Sequence, residues 1–329
     1  MLPCEHVNTT SAPSVLSTST SAELPPKSPV YPFQRKCVNL LIKQVQSNMS
    51  KYQQINLDEY TRSGEGGTAV TYTRKDGNSL AKLYNPGFEA DNAEKEYLTA
   101  RAVFEMGVPT PEPYRLVTDG QRHGAEYELI KDKRSFARII SEQPDRLQEI
   151  SLSFAGMAKK LHQMPADTNR IPDIKDVLRQ FYTEKNCVPE EYKQRALHFL
   201  EISPEGNTCI HGDLHIGNII TDGKRSLWID IGQFGFGVPE WDLGWMWTIC
   251  HNLDEKRADF LLHLTPEALV NHWNIFISAY LGTTNPQEIE SFTRRILPFY
   301  AVKCPYMFDM VNHSDFPESG CQALVKLIP

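Results

Sequence analysis

Within the segment Ile210-His211-Gly212-Asp213-Leu214-His215-Ile216-Gly217-Asn218, four residues separate an aspartate from an asparagine. A second aspartate, Asp230, follows twelve residues after Asn218, at the end of the apolar run Leu227-Trp228-Ile229. Carboxylate, amide and carboxylate at this spacing suit phosphoryl transfer: Asp213 accepts the proton of an attacking group, while Asn218 and Asp230 offer oxygens to a magnesium ion. The transition state of such a transfer spreads its charge over the migrating group, so catalysis is mostly positioning and neutralisation by cations. Magnesium is hard and takes oxygen ligands in an octahedron, which phosphate oxygens and waters complete.

Other chemistries fit the same residues less well. His211 and His215 stand four apart, a spacing that serves zinc on a helix, but Gly212 and Gly217 argue against a helix and no glutamate follows the first histidine. His211 reads instead as a brace for the loop, and His215 as a loop-packing residue or a neighbour of the substrate. Gly212-Asp213-Leu214-His215 also matches the opening of a metallophosphoesterase site, yet the downstream Asp, Asn and His blocks of a two-metal cluster are missing.

The stretch resembles the aminoglycoside phosphotransferase and choline kinase-like family of small-molecule kinases. The family pattern is His-Gly-Asp-Leu-His, two residues, Asn, then Ile-Asp, and later Asp-Leu-Ala; here the last part is Trp241-Asp242-Leu243-Gly244. The resemblance runs over roughly residues 57 to 310 and is strongest over 209 to 244, with Ile216 where the family often has Pro and Gly244 where it often has Ala. It implies an α+β, bilobal, protein-kinase-like fold, with a small antiparallel β lobe carrying one helix and a larger, mainly helical lobe. It further implies ATP as phosphate donor, with GTP not separated from it, a magnesium ion, and Asp242 as the residue that ties down the catalytic loop. Without the resemblance, Asp242 reads as a surface carboxylate or as a helix start whose side chain caps backbone amides.

Around these residues the elements must supply a phosphate-covering loop, a lysine and its carboxylate partner. Arg62 to Tyr72 reads as strand, glycine turn and strand, with Gly64, Gly66 and Gly67 letting backbone amides approach phosphate. Such turns are common punctuation, and the position before Lys82 is what singles this one out. Lys82 sits in the strand-like Ser79 to Tyr84, and Ala90 to Met106 follows with helical periodicity. That helix carries both Glu94 and Glu96, of which Glu96 is the favoured partner of Lys82; in the resembled family this lysine contacts the nucleotide's phosphates. Strands over 114–118 and 126–130 complete a five-stranded small lobe, and Glu128 to Lys131 resembles the hinge under an adenine. Helices are expected over 147–164, 190–201, 241–252, 265–282 and 286–310. Two short strands, Cys209-Ile210 and Ser226 to Ile229, are expected to flank the loop, joined by the turn Asp222-Gly223-Lys224.

Composition sets limits. A chain of 329 residues with 40% apolar residues suits one bilobal catalytic unit. It divides into a leader 1–48, a nucleotide-binding lobe 49–131 and a catalytic and substrate lobe 132–329. No apolar run approaches the roughly 18 residues of a membrane span. Seven cysteines without a CxxC pair point to a reducing, cytoplasmic setting. The net charge of −7 argues against a nucleic-acid surface and is compatible with a cationic small molecule. Asp173, Asp176, Glu190 and Glu191 could contact such a cation, although solvated helix faces are the simpler reading. Asp230 is followed within a few residues by Gly235-Phe236-Gly237-Val238-Pro239-Glu240, too short for the activation segment of a protein kinase, so the acceptor is expected to be a metabolite, amino alcohol, sugar or aminoglycoside. A kinase-shaped binder without turnover is the competing reading; the presence of Lys82, Asp213, Asn218 and Asp230 together speaks against it. Oligomeric state is not legible. Asn8 to Pro29 is rich in Ser, Thr and Pro, so the leader is expected to lack a packed core and to be dispensable, the counter-reading being a docked helix over 38–45.

Overall fold

Period-two alternation builds the first layer. The structure, a computed structural model, describes residues 51–65, 69–86, 90–312 and 314–329. The leader, its expected helix over 38–45, and Gly66 and Gly67 lie outside the described residues. Six strands form one sheet: β1 (Gln53–Gln54), β2 (Tyr60–Glu65), β3 (Ala69–Arg74), β4 (Ser79–Tyr84), β5 (Pro113–Thr118) and β6 (His123–Glu128), in the order β1-β5-β6-β4-β3-β2. All pairs are antiparallel except β1 with β5. The sequence led to five strands; β1 escaped because two glutamines show no alternation. In β4, Ala81 and Leu83 pack with Ile55, Tyr60 and Val117 on one face, which turns Leu80, Lys82 and Tyr84 to the other.

Helix α1 (Ala90–Glu105) covers that second face, with Ala93 packed among Tyr84, Leu116 and Ala125. It ends in a Schellman motif: Gly107, at φ +86°, donates its N–H to Phe104 O at 2.9 Å, and Val108 N–H reaches Val103 O at 3.3 Å.

After the two-residue β7 (Arg134–Ser135), the chain becomes mainly helical, with α2 (Phe136–Glu142), α3 (Leu147–Leu161), α4 (Ile174–Glu184) and α5 (Glu190–Ile202) before the loop segment. Beyond that segment come α6 (Glu240–Asn252), α7 (Glu255–Leu262), α8 (Pro266–Leu281), α9 (Pro286–Asn312) and α10 (Glu318–Leu324). α8 carries a complete set of end signals: Thr265 accepts from Ala268 N–H at 3.1 Å, Pro266 opens the first turn, and Gly282 closes it at φ +74°. α9 contains Pro298 and Pro305. Pro305 has no N–H for the carbonyl of Ala301, and the Tyr192 hydroxyl donates to that carbonyl at 2.5 Å instead. The sequence's Gly244 in place of alanine has a cause here, since a Cβ would come within 2.8 Å of Ile296 O where α6 crosses α9.

The short strands around the loop pair differently from expectation. β9 (Ile219–Thr221) pairs with β10 (Ser226–Trp228), and the turn Asp222 to Arg225 closes this hairpin, with Asp222 Oδ1 accepting from Lys224 and Arg225 N–H at 2.9 Å. β8 (Thr208–Ile210) pairs instead with β11 (Gly235–Gly237). The turn therefore does not join Cys209-Ile210 to Ser226–Ile229; the apolar Ile219-Ile220 directly after Asn218 is the nearer partner, and a tight turn favours the nearest antiparallel strand.

Candidate active site

The loop from His211 to Asn218 is held by one buried carboxylate. Asp242, in the first turn of α6 and fully buried, accepts from His211 N–H at 2.6 Å, Gly212 N–H at 2.8 Å and His162 Nε2 at 3.1 Å. Burial pushes its pKa up, but the hydrogen bond from His162 and the charge of Lys303 outweigh this and hold it below the ordinary value. Gly212 takes φ +80° with its Cα against Gln233, where a Cβ would lie 1.9 Å from a carbonyl oxygen, so only glycine serves. Asp242 is thus neither at the surface nor a cap of its own helix; its carboxylate is spent on the amides of the loop and on His162.

His211 has both ring nitrogens engaged: Nε2 donates to Ile229 O at 3.0 Å, and Nδ1 accepts from Asp213 N–H at 3.3 Å. Burial lowers its pKa, in keeping with this neutral tautomer. His215 Nδ1 accepts from Gly217 N–H at 3.1 Å, capping the 3-10 turn Ile216–Asn218. His211 thus spends both ring nitrogens on the loop, and His215 spends one. Ile216, where the family often has proline, is buried in the main core.

The predicted triad is brought together through main-chain bonds. Asn218 Nδ2 donates to Asp213 O at 2.9 Å and lies 3.4 Å from Asp213 Oδ2. Ile229 N–H donates to Asn218 O at 3.0 Å while Ile229 O takes the His211 bond, so the residue before Asp230 is clamped at both ends to the loop. Asp230 itself adopts a left-handed conformation at φ 55° and leaves its carboxylate 64% exposed. Asp213 is 28% exposed; Trp245 Nε1–H donates to its Oδ1 at 2.7 Å, and His215 Nε2 lies 3.7 Å from its Oδ2. Burial raises the Asp213 pKa, but His215, His211 and the Trp245 bond prevail and lower it.

From the sheet, Lys82 Nζ contacts Glu96 Oε1 at 2.7 Å and lies 3.9 Å from Asp230 Oδ1. Burial disfavours the ammonium, yet Glu96 and Asp230 more than compensate and its pKa is raised. Glu94 turns the other way and pairs with Lys51 at 3.0 Å. The Tyr84 hydroxyl donates to Glu96 Oε2. Lys82, Glu96, Asp230 and Gly64 line a cleft of about 540 Å³, together with Glu128 and Ile130 of the expected hinge. A larger hollow of about 1010 Å³ beside Gln53 holds none of the predicted residues, and its Arg74, Arg115 and Arg122 are paired with Glu59, Glu126 and Asp119.

The acidic residues offered as cation contacts are not gathered at a site. Asp173 caps α4, Asp176 pairs with Arg179, Glu190 accepts from Gln194 and Glu191 faces Arg195. Sequence reasoning missed His162, Tyr280, Trp245 and Lys303. The Tyr280 hydroxyl lies 2.8 Å from His162 Nδ1. Lys303 is fully buried in α9 with its Nζ 3.5 Å from Trp241 O, and burial lowers its pKa against the pull of Asp242. Two signals were available: a lone lysine between Val302 and Cys304 in an apolar helix face, and Trp245, one turn after Asp242.

Comparison with known proteins gives the same outline. Methylthioribose kinase from Bacillus cereus is 25% identical over 136 residues, 39% of this chain and 32% of that protein, so the match spans about a third of the curated relative's length. A thermostable mutant of aminoglycoside phosphotransferase APH(4)-Ia, in a ternary complex with AMP-PNP and hygromycin B, superposes with a TM-score of 0.56 at 12% identity, covering 82% of this chain and 93% of that one. Amicoumacin kinase hAmiN, in complex with AMP-PNP, Ca2+ and Ami, gives a TM-score of 0.50 at 13% identity, with 89% and 94% covered. These likenesses show the protein-kinase-like, α+β fold. The sequence model of the phosphotransferase enzyme family matches residues 59–266, well over half of the chain, and the chain belongs to that family.

Proposed function

We propose that the chain transfers the γ-phosphate of ATP to a hydroxyl or amine of a small molecule, with Asp213 as general base and magnesium held by Asn218 and Asp230. The observation that supports this reading is the hydrogen-bonded path from Asp213 through Asn218 to Ile229, along which a half-buried carboxylate, an amide and the exposed carboxylate of Asp230 follow one another. The donor set fits the ion: Asn218 spends its Nδ2 on Asp213, which leaves Oδ1 for a hard cation, and Asp230 keeps its carboxylate open to water. When bound, magnesium would neutralise charge on the phosphates. Lys82, oriented by Glu96 and Tyr84, would hold the phosphates at the cleft, and the Asp213 carboxylate would take the acceptor's proton. Residues 49–131 would then be the nucleotide lobe and 132–329 the catalytic and substrate lobe. Among the described residues no helix is long and apolar enough to cross a membrane; the cysteine usage supports a cytoplasmic setting.

The test is transfer of labelled phosphate from MgATP to methylthioribose, ethanolamine and hygromycin B, with ADP release to water measured alongside. Magnesium-dependent transfer that disappears in Asp213→Asn is expected. Tight nucleotide binding with neither transfer nor ADP release would favour the silent, kinase-shaped binder instead.

A further inference from the structure

Helix α6 reaches the loop twice. Asp242 takes the amides of His211 and Gly212, and one turn later on the same helical side Trp245 reaches the carboxylate of Asp213. The two oxygens of Asp213 are therefore unlike. Oδ1 accepts the 2.7 Å bond from an indole N–H, a donor that has no acceptor capacity. Among the described residues Oδ2 meets only long approaches, 3.4 Å to Asn218 Nδ2 and 3.7 Å to His215 Nε2. The terminal torsion of an aspartate is broad, so without a partner on Oδ1 the carboxylate plane would turn freely.

Trp245 also differs from the other tryptophans. Trp228, Trp241 and Trp273 belong to the buried clusters and Trp247 packs against them, whereas Trp245 is half-buried and in none of them. Core packing does not account for its place. We propose that Trp245 is a positioning residue for phosphoryl transfer: its indole N–H fixes the Asp213 carboxylate so that Oδ2 is the oxygen presented to the acceptor. This rests on the reading of Asp213 as the base.

The experiment is a double-mutant cycle on ADP release from MgATP, with water and with methylthioribose as acceptors. Trp245→Phe keeps a ring and removes the donor; it should lower kcat on the order of 100-fold, the effect of a small misplacement of a catalytic group, and leave KM for MgATP unchanged. Added to Asp213→Asn, it should cause no further loss, because the group it positions is already gone. A Trp245→Phe enzyme of full kcat, or losses that add, would overturn the inference while leaving the base intact if Asp213→Asn alone is inactive. An active Asp213→Asn enzyme would instead sink the base assignment and the inference with it. If Trp245→Phe does not fold, or no turnover is seen at all, the five indole N–H signals of 15N-labelled protein decide: Asp213→Ala should move the Trp245 signal upfield, and an unmoved signal overturns the proposal.

Discussion

Asp242 and Asp230 are both carboxylates tied to the loop from His211 to Asn218 and its continuation, yet one is wholly buried under three N–H donors while the other is 64% exposed and has Lys82 at 3.9 Å. Around Asp242 every partner is protein: His162 is itself fixed by Tyr280, and Lys303 supplies a countercharge from α9. Around Asp230 the protein leaves room. On the proposed function the contrast separates two tasks. A group that only orients others works best when its dipoles are fixed in a dry interior, since no reorganisation is then needed during reaction. A group that must take a hydrated ion has to stay open to water and be completed by the ligand. Asp213 lies between the two, anchored through Oδ1 and open through Oδ2.

The strongest attack on this comparison is Asp213→Asn, which keeps the shape but cannot accept the proton. Turnover should fall by roughly two to four orders of magnitude, while the rise in melting temperature on adding MgATP persists. Loss of both would mean that Asp213 also belongs to the open, ligand-completed set. Next in size, Asp242→Ala strips three donors of their acceptor and leaves Lys303 without its countercharge, and should destabilise the fold by about 3–5 kcal/mol in urea unfolding. Asp230→Asn, which still tolerates the left-handed backbone, should stay within about 0.5 kcal/mol of the parent yet weaken MgATP binding in calorimetry. Equal stability losses for the two would erase the distinction.

A third buried polar group sharpens the point. Among the described residues His272 has Ser151 Oγ at 2.8 Å from Nδ1, nothing on Nε2 and no countercharge, and burial pushes its pKa down to about 3. Below pH 6.5 the unfolded chain binds a proton on this histidine that the folded chain refuses, so its contribution to stability falls as pH drops from about 6.5 towards 3, by up to about 1.4 kcal/mol per pH unit. His272→Gln should flatten the pH dependence of the unfolding free energy between pH 6.5 and 4.5; an unchanged slope would show that the ring is hydrated. The smallest effect belongs to the rim of the sheet. Glu94→Gln removes an ion pair with a half-exposed Lys51 and should change stability by no more than about 1 kcal/mol, with KM for MgATP untouched. Glu96→Gln, two residues on, should raise that KM.

The pair of glutamates illustrates where sequence reasoning stops. Two positions along a helix are a rotation of roughly 200°, so Glu94 and Glu96 had to face different ways, but which one met Lys82 depended on how α1 docks on the sheet. The same holds for the short strands: β8 was visible as an apolar segment, but its partner β11 lies across the whole loop, and register over such a distance is set by packing. The four acidic residues of the 173–191 region looked alike as a charge pattern and proved to be one helix cap, two local ion pairs and a hydrogen bond to a neighbouring amide.

What the sequence determined by itself was an arrangement carried by short spacing: Asp213, Asn218 and Asp230 lie close enough along the chain that a turn and a two-strand hairpin suffice to bring them near one another. The alternation in β4 likewise fixed which face Lys82 takes. Tertiary structure alone decided the supports, because His162 comes from the end of α3, Tyr280 behind it from α8 and Lys303 from α9, and nothing local announces that a histidine, a tyrosine and a lysine far apart along the chain will gather at Asp242. Burial also turned an ordinary aspartate into the anchor of the loop, since the worth of a charge depends on the dielectric around it, and that property belongs to the packed interior.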